Sequence, residues 1–336
     1  MRTRLVSGLA GLLGAVALAA PLAATPDAAD IDYSAERAAI GQFQSLDQKL
    51  QNVGWKLVRG NVDFCSERVQ SVGLQLQDLR SYGEPSIARN ALSLGGDFAV
   101  QTAARGSPAA LSGAFRTNRE ISGIGALDPN AWPAGERMHW ERLEFVHDYI
   151  DMELERAGQI TVRFPLGEDV TLRSVPVCAA RFALIGNADL ARGGRGRVSI
   201  GAYFPGFAYE EEVFAGVVAH ELAHSLLGHS IWLDENQRKR RNVRRTEREA
   251  DRLMPWLMAN AGYDPAAAAR FMTRWGKAHD GGLFRARTHD GWDERVEFIE
   301  AELPQIRALI ASEGKADWSV HFRRDIEPKN KQPATD

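Results

Sequence analysis

A chain of 336 residues, 44% hydrophobic and 25% charged, has the composition of an ordinary globular protein with room for two modest domains. Its formal net charge of -3 argues against a nucleic-acid partner. Residues 1–24 read as a secretory signal peptide: Arg2 and Arg4 precede an apolar run, and Ala17-Leu-Ala19 and Leu22-Ala-Ala24 offer small-residue cleavage sites. The alternative is an uncleaved N-terminal anchor. Export implies a periplasmic or secreted protein. No later apolar run approaches ~18 residues without a charge, so no transmembrane span is expected in the mature chain. Cys65 and Cys178 are the only cysteines. In an oxidising compartment they permit one bridge, and otherwise they are two buried thiols.

The first element predicted is a helix from Ser34 to about Arg59. Ile40, Phe43, Leu46, Leu50, Val53 and Leu57 recur on one face. Asn61 to Tyr82 is mixed, and its apolar residues fit a strand or a short helix equally. From about Pro85 glycine punctuates short apolar pieces, with strand-like Phe98–Val100 and Ile121–Ile124. Met138 to Ala157 has helical spacing. Ile160–Phe164 and Val170–Val175 alternate as two strands across Leu166-Gly-Glu-Asp169. Val198–Tyr203 is a short strand. Helices follow from Val213, from Glu247 to Ala261, after Asp264-Pro265, and from Asp293 to Ala311 with Pro304 as a possible kink. The arginine-rich stretch from Arg238 to Arg245 is a solvated face or a rim for acidic ligands. The polar residues after Arg323 read as a disordered tail.

The strongest signal is His220-Glu-Leu-Ala-His224, an H-E-x-x-H motif inside an apolar run. Residues four apart on a helix share a face, so both imidazoles can bind one zinc ion. Glu221 can then take a proton from water activated by the metal. Two histidines leave a catalytic zinc needing a third protein ligand. Glu247-Arg-Glu-Ala-Asp251 offers Glu247 and Asp251 on one helical face. Asp251 is also suited to accept the outer N–H of a ligating histidine. Glu249 points elsewhere and is the weaker candidate. His229, five residues after His224, is rotated off the ligand face and reads as structural.

These motifs, with Gly228-His229, Ala261-Gly-Tyr-Asp-Pro265, Thr288-His289 and Arg295, span about Val213 to Leu303. In this order they resemble the gluzincin zinc metallopeptidases of the HtpX, BepA and CAAX-prenyl-protease group, of the soluble, exported type. The resemblance implies a zinc-dependent endopeptidase with Glu247 as third ligand and an edge strand that holds extended substrate, here Val198–Tyr203. It also draws His289 toward the zinc, as a plug or as an oxyanion donor, and offers Arg295 as a partner of developing charge. Met254-Pro255 and Asp290 depart from the family pattern without removing a ligand. Separately, Gly106-Ser-Pro-Ala-Ala-Leu-Ser-Gly113 resembles the turn and helix of bacterial PDZ domains, although Thr117–Glu120 replaces the usual Gly-Asp.

The expected fold class is therefore α+β: a mainly helical zincin-type domain at 176–325 and a PDZ-like domain at 85–175. Residues 25–84 would form a helical segment packed on the peptidase part, and 326–336 a disordered tail. The expected function is zinc-dependent cleavage of peptide bonds in exported or envelope proteins, with one zinc per chain and a protein or peptide substrate. Its rival is a protein-binding or chaperone-like module with a latent or structural zinc site.

Overall fold

The computed structural model describes residues 31–131, 140–278 and 290–326. Residues 1–24, 132–139 and 279–289 contain the expected signal peptide, the start of one helix and His289, and these lie outside the described residues. The chain is α+β. Among the described residues no helix is long and apolar enough to cross a membrane.

The elements run in chain order from helix α1 (Tyr33–Gly60), through strands β1 (Arg68–Ser71) and β2 (Leu74–Asp78), to helix α2 (Pro85–Leu92). The region that sequence could not divide between strand and helix is thus two strands closed by a short 3₁₀ turn at Leu79–Tyr82. Then come β3 (Phe98–Ala103), a one-turn α3 (Pro108–Leu111), β4 (Gly123–Ile124) and α4 (Glu141–Ala157). Six strands follow: β5 (Gln159–Arg163), β6 (Val170–Arg173), β7 (Val175–Cys178), β8 (Arg181–Ile185), β9 (Ala191–Gly194) and β10 (Arg197–Gly201). Helices α5 (Glu211–Leu226), α6 (His229–Glu235), α7 (Arg240–Asn260), α8 (Ala267–Ala278), α9 (Trp292–Glu313) and α10 (Trp318–His321) close the chain.

Two main apolar cores organise these elements. The larger gathers Leu50, Val53 and Leu57 of α1 with α5, α7, α8 and α9 and the sheet β8-β10-β9. Helix α5 is at its centre, and every residue from Val213 to His220 is buried. That explains its uniformly apolar sequence: a helix covered on all sides has no polar face to display. The smaller core collects Leu76, Phe98, Ile121, Val146, Ile150, Leu154 and Val162. It recruits β2, upstream of Pro85, and the hairpin β5–β6 pairs in the expected place, with Val162 opposite Val170. The cores are joined by β1, which pairs antiparallel with β7, and by the disulfide between Cys65 and Cys178.

Two expectations need correction. Val198–Tyr203 is not an edge strand. Strand β10 is hydrogen-bonded to β8 on one side and to β9 on the other, so it has no free edge to offer a substrate. The tail is also ordered further than its polar composition implied. Arg324 and the backbone N–H groups of Asp325 and Ile326 dock on the buried carboxylate of Glu249, and Ile326 is itself buried. An ionised group out of water demands such donors, and hydropathy carries no trace of that demand.

The smaller core is tied at one corner by charge. Arg142, near the start of α4, donates to Asp78 at 2.7 Å through Nε and to Asp97 at 2.9 Å. Asp78 and Arg142 are both buried. Removing one member of such a cluster leaves uncompensated charge in low dielectric. Arg142→Met is expected to cost about 3–5 kcal/mol in denaturant unfolding. Burial raises the pKa of Asp97, but Arg142 and Arg89 outweigh it and hold the carboxyl below its ordinary value. This contribution is therefore present above about pH 4 and fades as acid protonates Asp97, so the wild type should lose stability toward low pH more steeply than Arg142→Met.

Candidate metal centre

His220 and His224 sit one turn apart on α5 and face α7. Their Nε2 atoms are 3.2 Å apart. Glu247, on α7, places one carboxylate oxygen 3.5 Å from His220 Nε2 and the other 3.5 Å from His224 Nε2. One ligand atom from each residue falls within 4.8 Å of the other two. A tetrahedral zinc with bonds of about 2.0–2.1 Å requires ligand atoms roughly 3.3 Å apart. The three side chains thus fit that ion in both donor type and spacing, and the structure brings together the two histidines and the glutamate that sequence singled out.

The charge balance points the same way. Burial disfavours a charged imidazole at His220, but Asp251 and Glu247 overcome it and raise the ring's pKa to about 10. The two carboxylates beside the imidazoles give the site a negative character that suits a cation.

Each histidine is backed on its far side. His220 Nδ1 lies 3.1 Å from Asp251 Oδ1, in an orientation short of an aligned hydrogen bond. Asp251 is fully buried and takes two hydrogen bonds from Arg295, at 2.6 and 2.8 Å. Burial favours the protonated carboxyl, but Arg295 and His220 reverse this and lower its pKa. Asp251 therefore stands where a carboxylate behind a ligating histidine belongs. Arg295 pairs with Asp251 and not with Glu294, whose carboxylate instead accepts from Gly291 N at the start of α9. Arg295 also lines the cleft over the metal position.

The other histidine is supported by residues that sequence reasoning passed over. His224 Nδ1 is 2.9 Å from His229 Nδ1, and His229 Nε2 is 2.8 Å from Glu249 Oε2. His229 was placed by continuing the helical period of α5. That helix stops at Leu226, and Gly228 takes a left-handed φ of 68°, which turns the chain into α6 and carries the His229 ring back against His224. Glu249 does point away from the face of Glu247, as expected. It is nonetheless fully buried. The available signal was the glycine between the second and third histidines, which marks a break in helical phase.

The metal position opens into a cleft of about 770 Å³ that also exposes Glu221. Its lining is apolar at Leu190, Phe204, Val217, Phe271 and Trp275. Strand β9, an outer strand of its sheet among the described residues, also lines it. Gly193 lets β9 lie directly on α5, because a Cβ there would come within 1.8 Å of the Glu221 carbonyl oxygen. In the arginine-rich stretch Arg238 pairs with Asp234 and Arg244 with Asp290, and Arg248 beyond it also pairs with Asp290. Asp290 is the residue that stands where the resembling family has proline.

No protein-family model matches this chain, and comparison with curated proteins finds no significant relative.

The arrangement makes Glu247 the candidate third ligand of a metal held by His220 and His224. Purified Glu247→Ala should fold normally by circular dichroism yet lose most of its zinc by elemental analysis, from about one ion per chain in the wild type. Zinc retained at the wild-type level would remove Glu247 from the ligand set.

Proposed function

We propose that this chain is a zinc-dependent endopeptidase, of the gluzincin type that its motifs resemble. The observation that carries the reading is the His220–His224–Glu247 triangle, spaced for zinc and opening with Glu221 into one cleft. When bound there, zinc supplies Lewis acidity that activates water and polarises a peptide carbonyl. Glu221 accepts the proton of the attacking water. The new carbon–oxygen bond forms as the carbon–nitrogen bond breaks, and Glu221 returns the proton to the leaving amine. His220, His224 and Glu247 hold the reacting centre, and Asp251 with Arg295 keeps His220 oriented.

Strand β9 is the proposed track for an extended substrate. Gly201 N donates to Leu190 O, and the register places Ile200 opposite Ala191 and Val198 opposite Gly193. In an antiparallel ladder hydrogen-bonded pairs alternate, so Ala191 and Gly193 turn their backbone groups away from β10. That side can add a peptide strand. The apolar lining of the cleft suits an apolar substrate side chain beside the scissile bond. The PDZ-like segment is proposed to present or select protein substrates. Export to the periplasm or medium agrees with the apolar N-terminal run and the Cys65–Cys178 disulfide.

Glu221→Gln tests the chemistry. It should keep the wild-type zinc content and lose roughly 10²–10⁴-fold in kcat on a casein or peptide substrate. Zinc bound normally with no peptide cleavage by the wild type would instead support a structural zinc in a protein-binding module. A second test concerns the track. Gly193→Ala should force β9 off α5, raising KM for extended peptides while zinc remains bound.

A further inference from the structure

We infer that Glu249 and His229 are positioning residues that hold His224 in the one tautomer able to bind the metal. This rests on the reading of His220, His224 and Glu247 as a zinc site.

The argument follows the protons. Glu249 is fully buried, and apart from His229 the groups that contact its oxygens are N–H donors. Arg324 donates through Nε at 2.6 Å and Nη2 at 2.9 Å, and the backbone N–H of Asp325 donates at 2.8 Å. The backbone N–H of Ile326 adds a longer contact at 3.3 Å. A carboxylate so surrounded is ionised and can only accept. The 2.8 Å contact to His229 therefore places a proton on His229 Nε2. A neutral imidazole protonated at Nε2 has its lone pair on Nδ1. His229 Nδ1 is then the acceptor in the 2.9 Å contact with His224, so His224 Nδ1 carries the proton and donates. The remaining lone pair of His224 is on Nε2, the atom 3.2 Å from His220 Nε2 and 3.5 Å from Glu247. Each step leaves one arrangement open, and its end point is a metal-binding nitrogen.

The reverse orientation shows what Glu249 contributes. If the group at 249 donated to His229 Nε2, His229 Nδ1 would carry the proton and donate to His224. His224 would then be protonated at Nε2, the nitrogen a metal needs free. Geometry reinforces the polarity. The left-handed Gly228 and the short α6 fix the His229 ring, and Arg324 also donates to Leu227 O at 3.2 Å, tying the same turn to the C-terminal segment.

Two pairs of variants of the full chain test this. Glu249→Gln keeps the shape but introduces an amide N–H that can face His229. His229→Phe keeps a ring without an acceptor, whereas His229→Gln restores an acceptor beside His224. Zinc affinity is read by chelator competition, and the His224 tautomer by ¹⁵N NMR of histidine-labelled, metal-free protein. Glu249→Gln and His229→Phe should each bind zinc about 10–100-fold more weakly, and His229→Gln should recover part of that loss. Metal-free wild type should show His224 protonated at Nδ1, and Glu249→Gln should shift it to Nε2. Circular dichroism identifies any variant that fails to fold, and the His229 pair then decides alone. Unchanged zinc affinity in His229→Phe, or His224 protonated at Nε2 in the metal-free wild type, overturns the inference. A wild type that binds zinc but cleaves no peptide overturns the peptidase reading and leaves this one standing. A wild type that binds no zinc overturns both.

Discussion

Two imidazoles can share a metal ion only if both turn an unprotonated nitrogen toward the same point, and the groups packed behind His220 and His224 are arranged as that proposed role would demand. A neutral histidine left to itself divides its proton between two nitrogens. Here each ring meets a charged assembly on its far side. Behind His220 stand Asp251 and Arg295, and behind His224 stand His229, Glu249 and Arg324. In both cases a carboxylate is buried completely and an arginine keeps it ionised. Buried ion pairs contribute little net stability, since desolvation consumes most of their attraction. Their value here is directional: they set where a proton resides.

The supports differ in origin. Asp251 lies one turn beyond Glu247 on α7, so the third ligand and the support of the first histidine come from one helical face. Glu249 projects from another side of the same helix, and it reaches His224 only because the chain folds back at Gly228 and presents His229 between them. The ladder of residues Glu247, Glu249 and Asp251 therefore serves both histidines from a single helix. Arg295 and Arg324 come from α9 and the segment beyond α10, so packing of the C-terminal third of the chain is coupled to the centre of α5.

Periodicity exposed most of the helices and the β5–β6 hairpin because each displays a repeat of one apolar face. It also exposed the pairing of His220 with His224 and of Glu247 with Asp251, since i, i+4 relations on a helix translate directly into geometry, while the choice of Glu247 as third ligand comes from the family resemblance. What it missed depends on relations between elements. Leu74–Asp78 could be read as strand or helix because five residues show neither period distinctly; pairing with β3 decides it. The family resemblance implies an edge strand, assigned to Val198–Tyr203, the short strand before the histidine-bearing helix. Ala191-Arg-Gly-Gly194 has almost no strand propensity and forms β9 because its glycines permit close contact with α5. His229 reads as structural and off the ligand face, and it is buried outside the candidate ligand set; its contact with His224 was not legible, because a helical wheel assumes an unbroken helix. Glu249 reads as the weaker ligand candidate, pointing elsewhere, and its burial was not legible, since charge in a sequence does not reveal which carboxylates are buried.

The contact between Gly193 and Glu221 links the two halves of the proposed reaction. A catalytic water, a proton acceptor and a scissile carbonyl must be positioned together, and small displacements are costly in rate. In many folds a substrate-binding strand and a metal-bearing helix are separated by a layer of side chains, each free to adjust. Here backbone meets backbone: a Cβ at residue 193 would overlap the carbonyl of Glu221 itself. The strand that would align the peptide is thus registered directly on the residue that would move its proton. Such a contact transmits position without the slack of intervening rotamers, and it requires glycine at 193. The same logic governs the far side of α5, where His220 and His224 are held by ionised groups whose own positions are over-determined by arginine. The helix is fixed from both sides, by steric contact toward the cleft and by hydrogen bonds toward the interior. Precision at the centre follows from burying α5 from Val213 to His220, and the buried carboxylates are the charges that this burial obliges the fold to compensate.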